Sequence, residues 1–515
     1  MADAPHFRIG TRGSDLALWQ AHHVHGLIKA QGGTADIIIL STQGDREQVQ
    51  SFEKLEGKGF FTKEIEEALL EDRIDIAVHS HKDLETRQPE GLAVVAVPSR
   101  AASGDVLLVR EDRVTSAAWL PLPEGATVGT SSVRRRDQLL LLRPDLNIKA
   151  LRGNVPTRVE KLRSKDYDAI VLAQAGLDRL DLPLHGLVRH NLNPREFVPA
   201  PAQGALALQM RSDDTRHPFM AELTDRNARE GVDAERTVLS ALDGGCQLPF
   251  GAQWDAERRL LRCFLQDATG PKRILAVDPK EALAALRQPS PKRILITRQT
   301  RPESLLQRLA AASGFQLIEQ ALIETRPVAM PDIPADWTGS DPDWLWLGSP
   351  GAAAAAMEWT RAHPTTRIAV PGTGTAEALA PFLRDRLSFV GNGDPTDAWT
   401  VFHAARNEEE HIAIPHGNRS MKRWETGQGK AKVHPWVHYE TVENGQPIPE
   451  SDVVCFTSPS NVEAWRGTPP ATIVAIGPTT SQAILAKGWN CAVADSPDAF
   501  GIWEAIGVLG TPVRS

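Results

Sequence analysis

Short apolar runs alternate with longer stretches of helical spacing through the first two-fifths of the chain. Phe7-Arg8-Ile9-Gly10 reads as a strand ending in the polar turn Thr11-Arg12-Gly13-Ser14, and apolar positions from Leu16 to Ala30 then recur at helical intervals. Asp36 to Leu40 predicts a second strand, Lys63 to Leu70 a helix and Ile74 to Val78 a third strand. The rhythm returns in Ala126-Thr127-Val128-Gly129, Arg135 to Leu142, Asn147 to Leu151 and Ala169 to Leu172. Such βα alternation implies parallel sheets of the α/β class, whose ligands gather beyond the carboxyl ends of strands. Ser14, His79 to Asp83, Thr130 to Arg135 and Arg152 to Arg158 all fall at those ends.

Residues 218–288 read as a smaller unit in which a helix from Asp233 to Leu242 leads into the loop Gly244-Gly245-Cys246-Gln247, and a helix from Pro279 to Arg287 closes it. Gln288-Pro289-Ser290-Pro291 is a proline-punctuated joint. Beyond it Arg293 to Arg298 starts a new strand and a new α/β series, punctuated by Gly348-Ser349-Pro350-Gly351, Pro371-Gly372-Thr373, His416-Gly417-Asn418, Thr457-Ser458-Pro459 and Gly477-Pro478-Thr479. Two enzymes on one chain is the simplest architecture. The alanine run at 352–356 favours helix and carries no functional weight.

A chain of 515 residues exceeds what one hydrophobic core supports, so roughly three to five domains are expected. A net charge of -8 argues against nucleic-acid binding, which selects for a basic face. Any basic cluster therefore serves a local anion. The four cysteines, Cys246, Cys263, Cys455 and Cys491, form no CxxC pair, which removes a zinc ribbon and disfavours a disulfide scaffold. The N-terminus lacks a basic segment followed by an apolar one, and no apolar run approaches the roughly 18 residues that span a bilayer. A cytoplasmic monomer without membrane or nucleic-acid partners is expected.

Arg12, Arg134, Arg135, Arg152, Arg158 and Arg179 all fall in or beside strand-end turns or helix starts. Guanidinium forks match carboxylates, and several together recognise a polycarboxylate. The hydroxyls of Ser14, Thr130, Ser131 and Ser132, with helix N-terminal amides, complete an anion site. Asp83 follows a buried-looking strand and is placed to face the ligand. His79 and His81 are alternate residues of an extended segment and face opposite ways, so no metal site is expected. Cys246, freed by two glycines, is presented on a loop as an anchor for something heavily carboxylated.

Six motifs, in order, carry a resemblance: Thr11-Arg12-Gly13-Ser14-Asp15-Leu16-Ala17-Leu18-Trp19-Gln20, Gly57-Lys58-Gly59-Phe60-Phe61, Ala77-Val78-His79-Ser80-His81-Lys82-Asp83, Gly129-Thr130-Ser131-Ser132-Val133-Arg134-Arg135, Leu151-Arg152-Gly153-Asn154-Val155 and Gly244-Gly245-Cys246-Gln247. Residues 7 to about 265 resemble hydroxymethylbilane synthase (porphobilinogen deaminase). The resemblance implies a dipyrromethane cofactor held by a thioether at Cys246, four porphobilinogens added head to tail with loss of ammonia, and release of a linear tetrapyrrole by water. Asp83 is the expected catalytic carboxylate, stabilising a cationic azafulvene-like electrophile in a dry site. Lys82, Asp83, Thr130, Ser132, Arg134, Arg135 and Gly153 are expected at the cofactor. Arg12, Ser14, Lys54, Lys58, Phe61, Ser131, Arg152, Arg158, Arg179 and Gln203 are expected at the substrate, with Lys54, Lys58 and Phe61 matching the family's mobile segment. Ala202 departs from the pattern, since many relatives carry glycine before the Gln-Gly pair. The implied fold is two periplasmic-binding-protein-like α/β domains (1–101 with 199–217, and 102–198) and a small α+β domain (218–288) carrying the cofactor cysteine.

After a linker at 289–291, residues 292–515 are similar to uroporphyrinogen-III synthase. The resemblance rests on Ile294 to Arg298, Phe456 to Ser460, Ala475 to Thr480 and His438-Tyr439-Glu440-Thr441. It implies two α/β domains joined by a two-strand connection, 292–327 with 442–515 and 328–441. Thr297, Arg298, Ser349, Thr457, Ser458, Ser460, Thr479 and Thr480 are then expected to bind substrate carboxylates. Arg419 and Lys422 are also expected to help bind the substrate. Tyr439 is either a proton donor to the departing hydroxyl or a packing residue at the domain junction. The resulting expectation is a bifunctional enzyme converting four porphobilinogens to uroporphyrinogen III. The alternatives are a deaminase with an inactive second half and a carboxylate-binding module.

Overall fold

The computed structural model describes residues 4–509 apart from 41–61, 116–119, 243–247, 289–291, 299–303, 329–340, 356, 373–374, 377–378, 380, 408, 420–431 and 471. Lys54, Lys58, Phe61, Cys246, the 289–291 linker and Lys422 therefore lie outside the described residues. The chain groups into two compact units, residues 1–294 with 301–317 and 494–515, and residues 295–300 with 318–493. It is a mixed α/β multidomain protein.

In the first unit, strands run in the order Thr34–Ile39, His6–Thr11, Ile76–Ser80, Leu206–Arg211, Leu92–Ala96. Ile9 pairs with Ile37 on one side and Ile76 on the other, so the inward positions stack into a core with Phe7, Val24, Ile28, Leu208 and Met210. The helix Asp15–Ala30 covers it through Gln20, Ala21, Val24 and Ile28, residues spaced at helical intervals. Ser14 accepts from the Ala17 amide to cap that helix, and Asp15 and Lys29 suit its dipole.

The second sheet runs Asn147–Lys149, Thr127–Gly129, Ala169–Ala173, Asp105–Arg110, Leu187–Leu192. Both sheets are mixed, which corrects the expectation of parallel sheets. Leu206–Arg211 is antiparallel to both its neighbours, and so is Asp105–Arg110. The chain leaves the first sheet after Ala96 and returns only at Leu206. A strand arriving from a neighbouring sheet has no covering helix in its connection, so nothing obliges it to run parallel.

The helix Arg226–Ala241 then packs on three antiparallel strands, Phe250–Asp255, Leu260–Asp267 and Gly270–Ala276, with Pro279–Arg287 beside them. The helix starts at Arg226 rather than Asp233 because Asp225 caps it by accepting from Ala228. Two helices from beyond residue 291, Leu305–Ala312 and Ala499–Leu509, complete this unit: Leu309, Phe500 and Trp503 share a core with Leu107, Val109, Leu139, Phe197 and Leu275.

The second unit contains a six-stranded sheet ordered Ile323–Pro327, Lys432–Glu443, His411–Gly417, Trp344–Trp346, Arg367–Val370, Leu387–Val390. Its aromatic core holds Trp344, Trp346, Trp399 and Phe402 in edge and stacked contacts. Val453–Phe456, Thr472–Ala475 and Ala492–Val493 form a second, parallel group. Among the described residues no helix is long and apolar enough to cross a membrane.

The return crossing carries a strained residue. Ala202 is fully buried with φ +60°, a left-handed conformation that disfavours a Cβ by about 1–2 kcal/mol. This is the position where the family resemblance expects glycine. Ala202→Gly is expected to raise the unfolding free energy by up to about 1 kcal/mol after the entropy of the freer unfolded chain is subtracted, measured by denaturant titration. A destabilised variant would refute the strain.

Candidate functional site

The two crossings between the first two sheets meet at Gln203. Its amide nitrogen donates to Ser103 O (2.8 Å), Gly104 O (3.0 Å) and Asp105 Oδ1 (3.0 Å), while its amide oxygen accepts from Lys82 Nζ at 3.3 Å. Asp105 heads a strand of the second sheet and is fully buried. Arg134 Nη1 donates to its Oδ2 (2.9 Å), and Arg135 donates through Nε (3.1 Å) and Nη2 (2.7 Å) to its Oδ1. Burial alone would push the Asp105 carboxyl up, but the two guanidiniums outweigh it and hold the group well below the usual carboxylate range. Removing one member of such a buried cluster costs about 3–5 kcal/mol, because its partners stay charged in a dry environment.

On the other side of Gln203, Glu235 is fully buried and accepts from Arg100 through both carboxylate oxygens (2.8 and 2.9 Å). It also accepts the amides of Ala202 (2.7 Å) and Trp254 (2.9 Å), and Arg100 Nε donates to Gln203 O at 2.9 Å. The crossing is thereby fixed to the first sheet, the second sheet and the helix Arg226–Ala241 at once.

Around this joint the expected strand-end turns converge. The strand Ile76–Ser80 runs into a single 3₁₀ turn, His81–Asp83. Asp83 is exposed, and its carboxylate makes no hydrogen bond or ion pair among the described residues. Lys82 is half-buried, and burial lowers its ammonium to about 8 although Asp83 and Asp105 pull upward. Arg158, from the helix Val155–Arg163, donates to Gly153 O at 2.7 Å, and burial brings its guanidinium down to about 10. Arg179 donates to Gly204 O (2.8 Å) and lies over the Trp19 ring at 5.3 Å; burial lowers it too, and its Nε is buried without a partner. Lys82, Arg158 and Arg179 touch no carboxylate among the described residues. Three desolvated cations beside one free carboxylate make a site short of negative charge.

The other expected residues divide between surface and scaffold. Arg12 and Arg152 are half-buried at the ends of their strands. Ser14 and Ser132 are helix caps, Ser132 accepting from the Arg135 amide, and Thr130 Oγ1 accepts from the Ser132 amide. Ser131 Oγ donates to Leu151 O at 2.8 Å and accepts its amide at 3.0 Å, joining two of the turns. Arg134 and Arg135 are buried and turn inward onto Asp105. Sequence reasoning missed Asp105 and Glu235. It also missed Gln20, whose amide donates to Ser80 Oγ at 2.8 Å. A lone acid heading the apolar run Asp105-Val106-Leu107-Leu108-Val109 was the available signal for a buried pair.

Behind Lys82 lies a second polar network. The His79 ring Nε2 is 3.1 Å from Gln209 Oε1, and Gln209 Nε2 donates to Glu66 Oε1 (3.0 Å) and Gln88 Oε1 (2.7 Å). Burial lowers His79 to about 4 and raises Glu66. The histidine is a neutral structural donor. No cluster able to hold a metal occurs among the described residues.

In the second unit the hydroxyls form two groups. Thr297 is buried; its Oγ1 accepts the Thr457 amide at 3.0 Å, and Thr457 Oγ1 donates to Thr297 O at 3.1 Å. Ser458 caps the helix Pro459–Ala464 by accepting from Asn461. Arg298 and Ser460 are half-buried, Thr479 is exposed and Thr480 buried. In the second group, Tyr439 is 8% exposed and its hydroxyl lies 3.3 Å from Ser349 Oγ. Its ring rests on Gly417, where an added Cβ would come within 2.5 Å of it. Arg419 is exposed and pairs with Glu463 at 3.2 Å.

Three comparisons bear on this arrangement. The family model described as porphobilinogen deaminase, dipyromethane cofactor binding domain, matches residues 7–218, and that described as uroporphyrinogen-III synthase HemD matches 304–504. A porphobilinogen deaminase of Maridesulfovibrio salexigens is 46% identical over 281 residues, covering 53% of this chain and 89% of that protein. One from Acidithiobacillus ferrooxidans is 44% identical over 284 residues, covering 54% and 90%. The crystal structure of uroporphyrinogen-III synthetase from Helicobacter pylori aligns at 15% identity and a TM-score of 0.32, over 42% of this chain and 99% of that one.

The His79 network sets a pH dependence. The unfolded histidine ionises near its ordinary 6.5 and the folded one near 4, so between these values the unfolded chain binds more protons. Stability is therefore expected to fall, by on the order of a few kcal/mol, as pH drops from 6.5 toward 4. Urea midpoints across that range test this, and His79→Gln should flatten the slope; an unchanged slope would refute the assignment.

Proposed function

The chain belongs to the porphobilinogen deaminase family and carries a uroporphyrinogen-III synthase domain after it, and from that premise we propose how its own residues perform the two reactions. The overall conversion takes four porphobilinogens to hydroxymethylbilane with release of ammonia, then closes it to uroporphyrinogen III with inversion of the last ring. The observation that carries the reading of the first site is the set of desolvated cations with no ion-pair partner among the described residues, Lys82, Arg158 and Arg179, together with the exposed carboxylate of Asp83.

The dipyrromethane cofactor suits this donor set. Each pyrrole carries acetate and propionate groups, and desolvated cations lacking acids are what such groups neutralise. Cys246 is its anchor in this reading. Two of the other thiols are poor candidates: burial pushes Cys263 up strongly and Cys455 up to about 12. When bound, the cofactor supplies the primer from which the pyrrole chain grows. Lys82, Thr130, Ser132, Gly153, Arg134 and Arg135 make up its side of the site in this reading, the two arginines from their seat on Asp105. Arg12, Ser14, Ser131, Arg152, Arg158 and Arg179 bind substrate carboxylates, Gln203 holds Lys82, and Lys54, Lys58 and Phe61 belong to the same substrate-binding set.

Asp83 does the electrostatic work. Departure of ammonia from the aminomethyl group leaves positive charge on the pyrrole, and a fixed carboxylate accepting the ring N–H stabilises that charge most where water is excluded. In the synthase half, Thr297, Arg298, Ser349, Thr457, Ser458, Ser460, Thr479 and Thr480 bind carboxylates of the linear tetrapyrrole. Tyr439, steadied by Ser349 and Gly417, assists departure of the hydroxyl as a proton donor. Fusion has a kinetic rationale, because the linear product cyclises unaided to the other isomer and a tethered second enzyme raises its own effective concentration.

The finer fold also belongs to this proposal. The first half comprises two periplasmic-binding-protein-like domains, 1–101 with 199–217 and 102–198, and a cofactor domain, 218–288. The second comprises 292–327 with 442–515, and 328–441.

Two outcomes are expected. Asp83→Ala should lower porphobilinogen turnover at least about 100-fold while circular dichroism and the intact-mass adduct at Cys246 are retained. Near-normal turnover would remove Asp83 from the chemistry, and an adduct-free active enzyme would remove the cofactor assignment. Incubation of the whole protein with porphobilinogen should yield the type III isomer; type I alone from turnover-competent protein would mean an inactive second half.

A further inference from the structure

Four arginines crowd one face of the first unit. Arg258, Arg262 and Arg273 come from the three-stranded sheet region, and Arg195 follows the last strand of the second sheet. Arg262 is 4% exposed and Arg273 is 1% exposed. Asp255, 2.9 Å from Arg262, is the nearby acid contributed by the same stretch of chain. Left uncovered, this face would hold like charges together at the boundary of a dry core, an arrangement that costs free energy.

The helix Ala499–Leu509 supplies what the face lacks. Glu504, 3% exposed, lies 2.8 Å from Arg262 Nε through Oε1, and 2.9 Å from Arg195 Nε and 3.0 Å from Arg258 Nη1 through Oε2. Asp495 takes the other arm of Arg258 at 2.5 Å. The Arg273 guanidinium, which donates to Arg195 O and Glu196 O, lies 5.6 Å from the Phe500 ring and 5.1 Å from that of Trp503. Gly507 lets the helix approach the sheet, since an added Cβ would fall 2.6 Å from Leu275. The helix Leu305–Ala312 locks the arrangement. Trp503 Nε1 donates to Ser313 Oγ at 2.6 Å, and Arg308 donates to the terminal carbonyls of the helix Val133–Leu142, Leu141 O (2.8 Å) and Leu142 O (2.9 Å).

We infer that this arginine face is a docking surface built for the terminal helix, and that the helix is a clasp which the deaminase half needs to hold its second sheet against its three-stranded sheet. Glu504 spans that joint, touching Arg195 on one side and Arg258 and Arg262 on the other. The clasp helix begins inside the part of the chain matched by the synthase family model, 304–504, and its Glu504 is the last residue of that match. The fusion is then structural: the first enzyme borrows an element encoded at the far end of the second.

The test cuts the clasp after folding, so that misfolding does not confuse it. A specific protease site inserted between Val493 and Ala494 of the full chain is cleaved in the native protein, and the mixture is passed over a size-exclusion column. Residues 494–515 are expected to stay bound in the parent, to be released in an Arg262→Met variant, and to take at least a tenfold loss of porphobilinogen turnover with them. Release from the parent without loss of turnover, or retention that Arg262→Met does not weaken, would overturn the clasp. An uncut parent without turnover would instead count against the deaminase reading, so the two failures are distinguishable.

Discussion

The first unit depends on a buried negative charge at each side of one glutamine. Asp105 and Glu235 are both fully withdrawn from water, and each is tolerable only because arginine and amide donors converge on it. Gln203 stands between them and joins the two clusters by its amide and its carbonyl. These clusters are geometric specifications more than sources of stability. A buried pair gains little over an apolar equivalent, but it fails badly if one partner moves. The crossing between sheets is thereby held in one arrangement, strained Ala202 included.

That rigidity decides the character of the site. Lys82 is aimed by Gln203, Arg158 by Gly153 and Arg179 by Gly204, so the cations are positioned by backbone and amide oxygens rather than by acids. An acid in any of those places would neutralise the cation and remove the site's demand for a ligand. The acids nearby are placed differently: Asp105 saturates two arginines inside, and Asp83 is exposed with no ion-pair partner among the described residues.

The arginines of the first unit fall into three groups. Arg134 and Arg135 pair with Asp105, Arg158 and Arg179 donate to main-chain carbonyls, and Arg195, Arg258, Arg262 and Arg273 lie against the helix Ala499–Leu509. A guanidinium serves all three roles because its planar fork satisfies carboxylates, carbonyls and aromatic faces alike. Sequence position alone does not say which partner each will find.

Local order was legible in the chain. Apolar spacing located the strand His6–Thr11 and the helices Asp15–Ala30, Lys63–Leu70 and Pro279–Arg287, because amphipathic periodicity and capping act over a few residues. The strand-end position of the turns was legible too, since polar residues following an apolar run mark where a buried strand emerges. The chain by itself also fixed the family, through motifs whose order and spacing survive independently of packing. Three things were settled only by tertiary structure. They are the antiparallel strands Asp105–Arg110 and Leu206–Arg211, the inward turn of Arg134 and Arg135 onto Asp105, and the seating of Ala499–Leu509 on the arginine face. Each joins residues far apart in sequence, where neither periodicity nor local hydrogen bonding carries information. What chooses among such pairings is the cost of leaving a charge or an apolar face uncovered, and that cost exists only once the sheets are assembled.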